Sequence, residues 1–505
     1  MLTAGIPEVS MRVAIPAPLH DAALVNLAAA GFLLLSLACA VFAPELFWPL
    51  LVATAASSVI FLAFRFTPAF TAAWLLVTAA SLEMTAADLI GHDAFQPTIA
   101  VVKGLGIGLA IVAALRYGPR LDKFNPAFAW LAMFVGGLAH GLRPGLTPLD
   151  SLRSLVGSVA PFAFGFSNLS RRWCQAIIRA ACWAPLTSVA GGAMLDAAGL
   201  RPLFVNSGGY RLAGLGHPAF LASICQTAVY ACLIEMYRHG RRRDFLLAGA
   251  NLLLLLLTGA RAPLSYALAV CGLSLVLVRS PAFAPRHRLL LFLACATALP
   301  VAAALVLGLV PTDLGAMRAF HVLTTDLGNL SGRQLLWPDF ERAAAESPWL
   351  GWGVGAGNVI IPPGDPVVAL LQTWAAHNEY LRVAVEGGQL GRALLVAMML
   401  LWVRQHTAPL CRSDRTIMRL VFIAFAAHAV TDNLLISTPA CVLFGFAVAV
   451  FARGRFEAQD GHGNAPAGAA AFIAERAAAQ GRQGAMRLAG RRGTTILRGL
   501  RASGR

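Results

Sequence analysis

Acidic side chains are scarce in this chain: 24 aspartates and glutamates in 505 residues, with charged residues of both signs making up only 13%. About a quarter of an ordinary soluble chain is charged, so this one cannot clothe a water-soluble globule of its size. Cysteine usage excludes more. The nine cysteines fall mostly inside apolar runs, none lies in the polar stretch 311–378, and no CxxC pair occurs. Neither a disulfide framework nor a cysteine metal site is therefore expected, and small apolar packing is their ordinary use. A cleavable signal peptide is missing, so the first apolar run, Ala22 to Ala43, reads as a retained span. No repeat with a period of about 20–50 residues is apparent.

What the chain does have is apolar length. Hydrophobic residues make up 58% of it, in runs of about 17–25 residues, each able to cross about 30 Å of hydrocarbon. Spans are expected near 22–42, 46–64, 68–90, 97–115, 127–142, 152–168, 173–195, 218–237, 245–260, 262–278, 289–310, 379–403, 416–435 and 438–452. The segments 127–142 and 152–168 are short, which gives an all-α polytopic membrane protein of about 12–14 transmembrane helices. The formal charge of +16 follows topology, not nucleic-acid binding. Arg65, Arg116/Arg120/Lys123, Arg171/Arg172, Arg238/Arg241/Arg242/Arg243, Arg279/Arg286/Arg288 and Arg404/Arg412/Arg415 occupy alternate loops, as the positive-inside rule requires of cytoplasmic ones.

That orientation places 196–217, the turn Gly259–Arg261, the loop 311–378 and a turn near Ser437 outside. Residues 1–452 thus form a transmembrane helical domain with the external loop 311–378 inserted in it. The loop is too polar for lipid, long enough to cap a cavity, and carries a short helix near Pro338–Glu346. Residues 453–505, with ten arginines against three acids, form a basic cytoplasmic tail, disordered or held on anionic lipid. It lacks the interleaved aromatics of a nucleic-acid binder.

Several titratable groups fall on the outer face. Arg261 sits in a hairpin whose turn needs only small residues, and an ionised group at membrane depth costs about 2.5–3.5 kcal/mol on insertion scales. Lipid snorkelling would explain it; so would a lipid-linked phosphate, which a guanidinium grips in bidentate fashion. Arg211, in a Gly-rich segment, would be merely solvated alone, but two arginines flanking one cavity could neutralise a diphosphate. His377 and Asn378 stand where water meets membrane, and histidine suits proton transfer near neutral pH. Arg333 reads as an acceptor contact or a loop anchor. Glu386, inside a span, reads as a helix-paired carboxylate or an orienting group, and Asp432-Asn433 as a polar helix end or a support for the site. Arg382 could pair with Glu379, and His217 reads as a helix-start residue. Glu83, Asp88 and Lys103 are intramembrane charges of the kind transporters use.

His377-Asn378, nine intervening positions, Gly388, two more and Gly391 reproduce the signature His-[Asn/Ser/Gln]-x9-Gly-x2-[Gly/Thr/Tyr]. In this, and over about residues 200–440, the chain resembles the O-antigen ligase family and its polymerase relatives. The Thr258-Gly259-Ala260-Arg261 hairpin, Ser331-Gly332-Arg333 with Trp337, and Leu350–Asn358 (LGWGVGAGN) add to the likeness. Ala260, Ala262 and the Pro-rich Ile361–Pro366 depart from it. The resemblance implies a GT-C-like inverting glycosyltransferase of the bacterial inner membrane with its active face periplasmic, needing neither metal nor cofactor. The donor would be a glycan on undecaprenyl diphosphate; the acceptor would be a lipid A core sugar (ligase) or a second lipid-linked glycan (polymerase). His377 would be the base and Arg211 and Arg261 would hold the diphosphate. Arg333, Asn378, Glu386 and Asp432 would support acceptor or site. Gly388 and Gly391, three apart, would share one helical packing face. A polysaccharide flippase or secondary transporter is the rival reading.

Overall fold

The computed structural model describes residues 62–91, 94–206, 209–278, 335–362, 364–371, 373 and 375–463. Arg333, the expected spans 22–42 and 289–310, nearly all of 46–64 and most of the basic tail lie outside these residues. The chain is an all-α polytopic membrane protein. Among the described residues, its helices are α1 (Thr67–Ala79), α2 (Leu82–Ile90), α3 (Phe95–Tyr117), α4 (Ala127–His140), α5 (Pro148–Val159), α6 (Arg171–Ala197) and α7 (Pro218–His239). They continue with α8 (Arg242–Leu257), α9 (Arg261–Leu277), α10 (Trp337–Glu346), α11 (Pro366–Leu371), α12 (Glu379–Thr407), α13 (Arg412–His428) and α14 (Pro439–Gly463). A two-stranded hairpin, β1 (Phe204–Asn206) with β2 (Tyr210–Leu212), precedes α7. Contacts divide the chain into Met1–Ala452 and Arg453–Arg505; of the second unit only the helical residues 453–463 are described.

Helix starts follow local chemistry. Thr147 accepts from Asp150 N at 3.1 Å with Pro148 at the first helical position, Ser170 accepts from Trp173 N at 3.2 Å, and Asn378 accepts from Leu381 N at 3.1 Å. Each satisfies an amide that the first turn leaves orphaned. By length and apolarity alone, four described helices can cross a membrane, or five if α1 and α2, bent by 54° at Ala80–Ser81, count as one span. The expected span 152–168 is built differently. Helix α5 passes into a buried 3-10 helix, Ala160–Phe166. Twelve residues at about 1.5 Å and seven at about 2.0 Å sum to roughly 32 Å of helical rise.

Hydrogen bonds define two ends of the bundle. At the basic end, Arg120 N donates to Phe166 O at 2.8 Å, Arg116 to Phe64 O, and Arg238 Nε to Asp414 at 2.7 Å. Buried Asp122 accepts there from Trp402 Nε1 at 2.7 Å and meets His406 Nε2 at 3.0 Å. At the opposite end, Asp88 pairs with Arg201 at 2.6 Å, His140 meets Ser347 at 3.2 Å, and Ser151 donates to Val354 O at 2.7 Å. The described part of the polar loop packs at this second end around Leu146, Leu336, Phe340, Ile361, Ala376 and Val385.

The loop is fastened by a break in α12. Gly388 has φ 59° and ψ −164°, a conformation essentially reserved for glycine, and it interrupts the helix. The interruption orphans two carbonyls and two amides, which the Gly-rich loop takes up. Trp352 N and Gly353 N donate to Val385 O and Glu386 O at 2.8 and 2.9 Å, while Gln389 N and Leu390 N donate to Pro348 O and Trp349 O at 2.8 and 3.2 Å. Such a splice is how irregular backbone survives away from water. The expectation that Gly388 and Gly391 share one helical face is corrected: Gly388 is not helical and abuts Leu350, whereas Gly391 faces Met133 of α4. From Gly388 to Thr407 the helix is still about 30 Å long, enough to cross on its own. Leu390 and Leu394 are exposed on that stretch, whereas most residues before the break are buried.

Substituting Gly388→Ala should therefore destabilise the protein by about 1–3 kcal/mol, through backbone strain and a clash with loop backbone. Gly391→Ala should cost less, because the flexible Met133 side chain can move. Thermal unfolding of the two purified variants checks this; equal midpoints would show that the break needs no glycine.

Candidate active site

His377 ends the polar loop, and its backbone is left-handed at φ 46°, an uncommon state for a residue with a side chain. What holds it is visible on both sides. Trp337 Nε1 donates to Ala376 O at 2.9 Å, and Glu379 N donates to Ala429 O at 2.8 Å, tying the start of α12 to the end of α13. The imidazole lies between two partners. Nδ1 is 2.9 Å from Asp432 Oδ1, and Nε2 is 3.0 Å from Thr373 Oγ1. An ionised carboxylate only accepts, so in a neutral imidazole with Nδ1 donating to Asp432, Nε2 is left to accept from the Thr373 hydroxyl. Both side chains remain partly accessible, His377 at 20% and Asp432 at 24%.

Asp432 does not end a helix as expected. Helix α13 stops at His428, and Asp432 sits in the turn 429–438 that leads to α14, its Oδ1 also accepting from Asn433 N at 2.9 Å. Asn378 caps α12. Glu386 is fully buried and pairs with Arg382 Nη1 at 2.8 Å, while Arg382 Nη2 pairs with Glu379 and the guanidinium lies 5.1 Å from the Trp130 ring centroid. This buried triad braces α12 one turn from His377.

Arg211, on β2, donates from Nε to Thr258 O at 2.7 Å. Thr258 belongs to the α8–α9 hairpin, of which Arg261 is the first α9 residue, so the structure brings the two arginines to one hairpin. His217 is the N-cap of α7 and accepts from Ala219 N at 3.2 Å. Helices α7, α9 and α13 relate this hairpin to the imidazole. Tyr237, near the far end of α7, bonds Ser274 O of α9, and Arg238 pairs with Asp414 at the start of α13. Tyr266, in the first turns of α9, lies 5.4 Å from the ring of His428, the last residue of α13. The start of α9 and the end of α13 thus lie at one end of the bundle, with Arg211, Arg261, His377 and Asp432.

Thr373 escaped the sequence reading. It stands four residues before His377 but outside any helix, so spacing gave no hint that the two touch. Glu83, Asp88 and Lys103 prove to have close partners: Thr438 Oγ1 donates to Glu83 at 2.6 Å, Arg201 pairs with Asp88, and Lys103 Nζ donates to Ile436 O at 2.5 Å and Gly157 O at 3.3 Å.

Removing one member of a buried ion pair leaves an uncompensated charge, at about 3–5 kcal/mol. Arg382→Met, which strands two carboxylates, should show that loss in the unfolding of the purified protein, and Glu386→Gln should show less. Comparable small losses in both would mean that the triad is not a brace.

Among known proteins the comparison is narrow. No curated protein matches the chain significantly. A family model, described as O-Antigen ligase, matches residues 246–396. That segment includes Arg261, His377, Asn378, Glu386 and both signature glycines, and leaves Arg211 and Asp432 outside. Residues 246–396, which run from α8 through α9 and the polar loop into α12, are thus similar to the O-antigen ligase family.

Proposed function

We propose that the protein transfers a glycan from undecaprenyl diphosphate to an acceptor sugar hydroxyl, as an O-antigen ligase acting on lipid A core at the periplasmic face of the inner membrane. The observation that supports this best is the His377–Asp432 pair at the same bundle end as Arg211 and Arg261. His377 Nε2 takes the proton of the acceptor hydroxyl as its oxygen attacks the anomeric carbon. Asp432 holds the imidazole in the required tautomer and stabilises the imidazolium that forms. The bond from that carbon to the diphosphate oxygen breaks, and lipid diphosphate leaves with the bonding electrons. Attack opposite the leaving group inverts the centre. Arg211 and Arg261 offset the charge that develops on the diphosphate, which preorganised cations do best in a site shielded from water. The Thr373 hydroxyl marks where the acceptor hydroxyl docks, since both are donors to one lone pair. A donor activated before it arrives also suits this face of the membrane, where nucleotide sugars are absent.

The test is incubation of purified protein with a polyprenyl-diphosphate glycan and a lipid A core acceptor, without metal or nucleotide. His377→Ala should abolish transfer, and Asp432→Asn should lower kcat by about 10²–10⁴. Normal transfer by His377→Ala would end the base assignment.

Arg261→Ala should lower kcat/KM by about 10²-fold, with Arg261→Lys intermediate because a point charge replaces a fork. A deletion strain separates ligase from polymerase. Long chains surviving on the lipid carrier mean ligase; single repeat units mean polymerase.

A further inference from the structure

The turn 429–438 presents Asp432 to His377, yet it is a short irregular segment with a cavity on one side. Leu434 and Ser437 line that cavity together with Gln226 and Tyr230 of α7 and His428 of α13. Leu434 and Leu435 are buried, and Glu379 N holds the first residue of the turn, Ala429. Its last residues are gripped from the part of the chain that the family match does not reach. Lys103 of α3, 2% exposed, donates to Ile436 O at 2.5 Å and to Gly157 O at 3.3 Å. Glu83 of α2, fully buried, accepts from Thr438 Oγ1 at 2.6 Å. Glu83, Cys441, Arg382 and Glu379 are the titratable groups within electrostatic reach of Lys103. Two buried ionisable side chains thus hold residues 436 and 438, four and six positions beyond Asp432, and a mere packing role needs neither of them.

We propose that Lys103 and Glu83 are positioning residues for the transfer, clamping the turn 429–438 so that Asp432 meets His377. The proposal rests on the transferase reading above and adds to it the function of the N-terminal helices. It accounts for intramembrane charges that would otherwise suggest a transporter: their partners are the carbonyl and hydroxyl of the turn.

The experiment uses the full-length protein, a synthetic polyprenyl-diphosphate oligosaccharide and a lipid A core acceptor. Lys103→Met keeps the length of the side chain and removes its donors; Thr438→Val removes one hydroxyl at constant shape. Each should lower kcat about tenfold with donor KM within about twofold, the pattern of an interaction that matters in the transition state. Made again in an Asp432→Asn background, neither should cost anything further, since both act through Asp432. Losses that add in full in that background would overturn the proposal, because a structural defect does not depend on Asp432. If Lys103→Met does not fold, Thr438→Val decides. A second measurement needs no transfer activity: the rate at which diethyl pyrocarbonate modifies His377, read by mass spectrometry. That rate should rise in Asp432→Ala and likewise in Lys103→Met and Thr438→Val, as Nδ1 loses its partner. Wild-type rates in the last two would also overturn the proposal, whereas wild-type protein inert toward the donor would count against the transferase reading alone.

Discussion

Backbone groups away from water must find partners, and this constraint organises the end of the bundle where the candidate site lies. Helix α12 gives up two of its own hydrogen bonds at Gly388 and receives four from the loop 348–353. An unmet buried donor or acceptor costs about 1–3 kcal/mol, so the break and the loop stabilise each other or neither persists. The loop is thereby fixed against α12, and Trp337 carries that fixed position to Ala376 and hence to His377. The imidazole is placed by a chain of backbone contacts more than by its own surroundings.

Charge performs a second, complementary role. In an apolar medium an ion pair or a charge-assisted bond is long-lived because water does not compete for it. The chain uses few such groups and uses them at joints: Asp122 with Trp402 and His406, Arg238 with Asp414, Arg382 between two glutamates, Asp88 with Arg201. Each ties together segments from different parts of the chain or stiffens a helix near the candidate site. The scarcity of acids noted at the outset is thus matched by their placement.

Much of the architecture was legible because hydrophobic length is a strong signal. The α8–α9 hairpin, the short helix α10 and the role of His217 at the start of α7 all fall where composition and turn chemistry put them. What was not legible depends on tertiary contact. Spacing suggested that Gly388 and Gly391 belong to one face; only the φ/ψ of Gly388 reveals a break. The segment 152–168 looked short because an α-helical rise was assumed, and Ala160–Phe166 coils more tightly. Asp432 was visible as an acid near a helix end, but not as the partner of His377 fifty-five residues earlier. Thr373 carried no pattern at all, and the charges at 83 and 103 pointed toward transport until their partners at 438 and 436 were seen.

The bond from Lys103 to Ile436 joins residues 333 positions apart. A ribosome adding about 5–20 residues per second needs roughly 17–67 seconds to make the intervening chain. For that interval the nascent protein holds an ammonium group in α3 whose acceptor in the later turn has not yet been synthesised. Until then the acceptor at hand is Gly157 O, 54 positions on and 3.3 Å from Nζ in the finished fold. The grip of Lys103 on the turn 429–438 is therefore a contact that only the nearly finished chain can make.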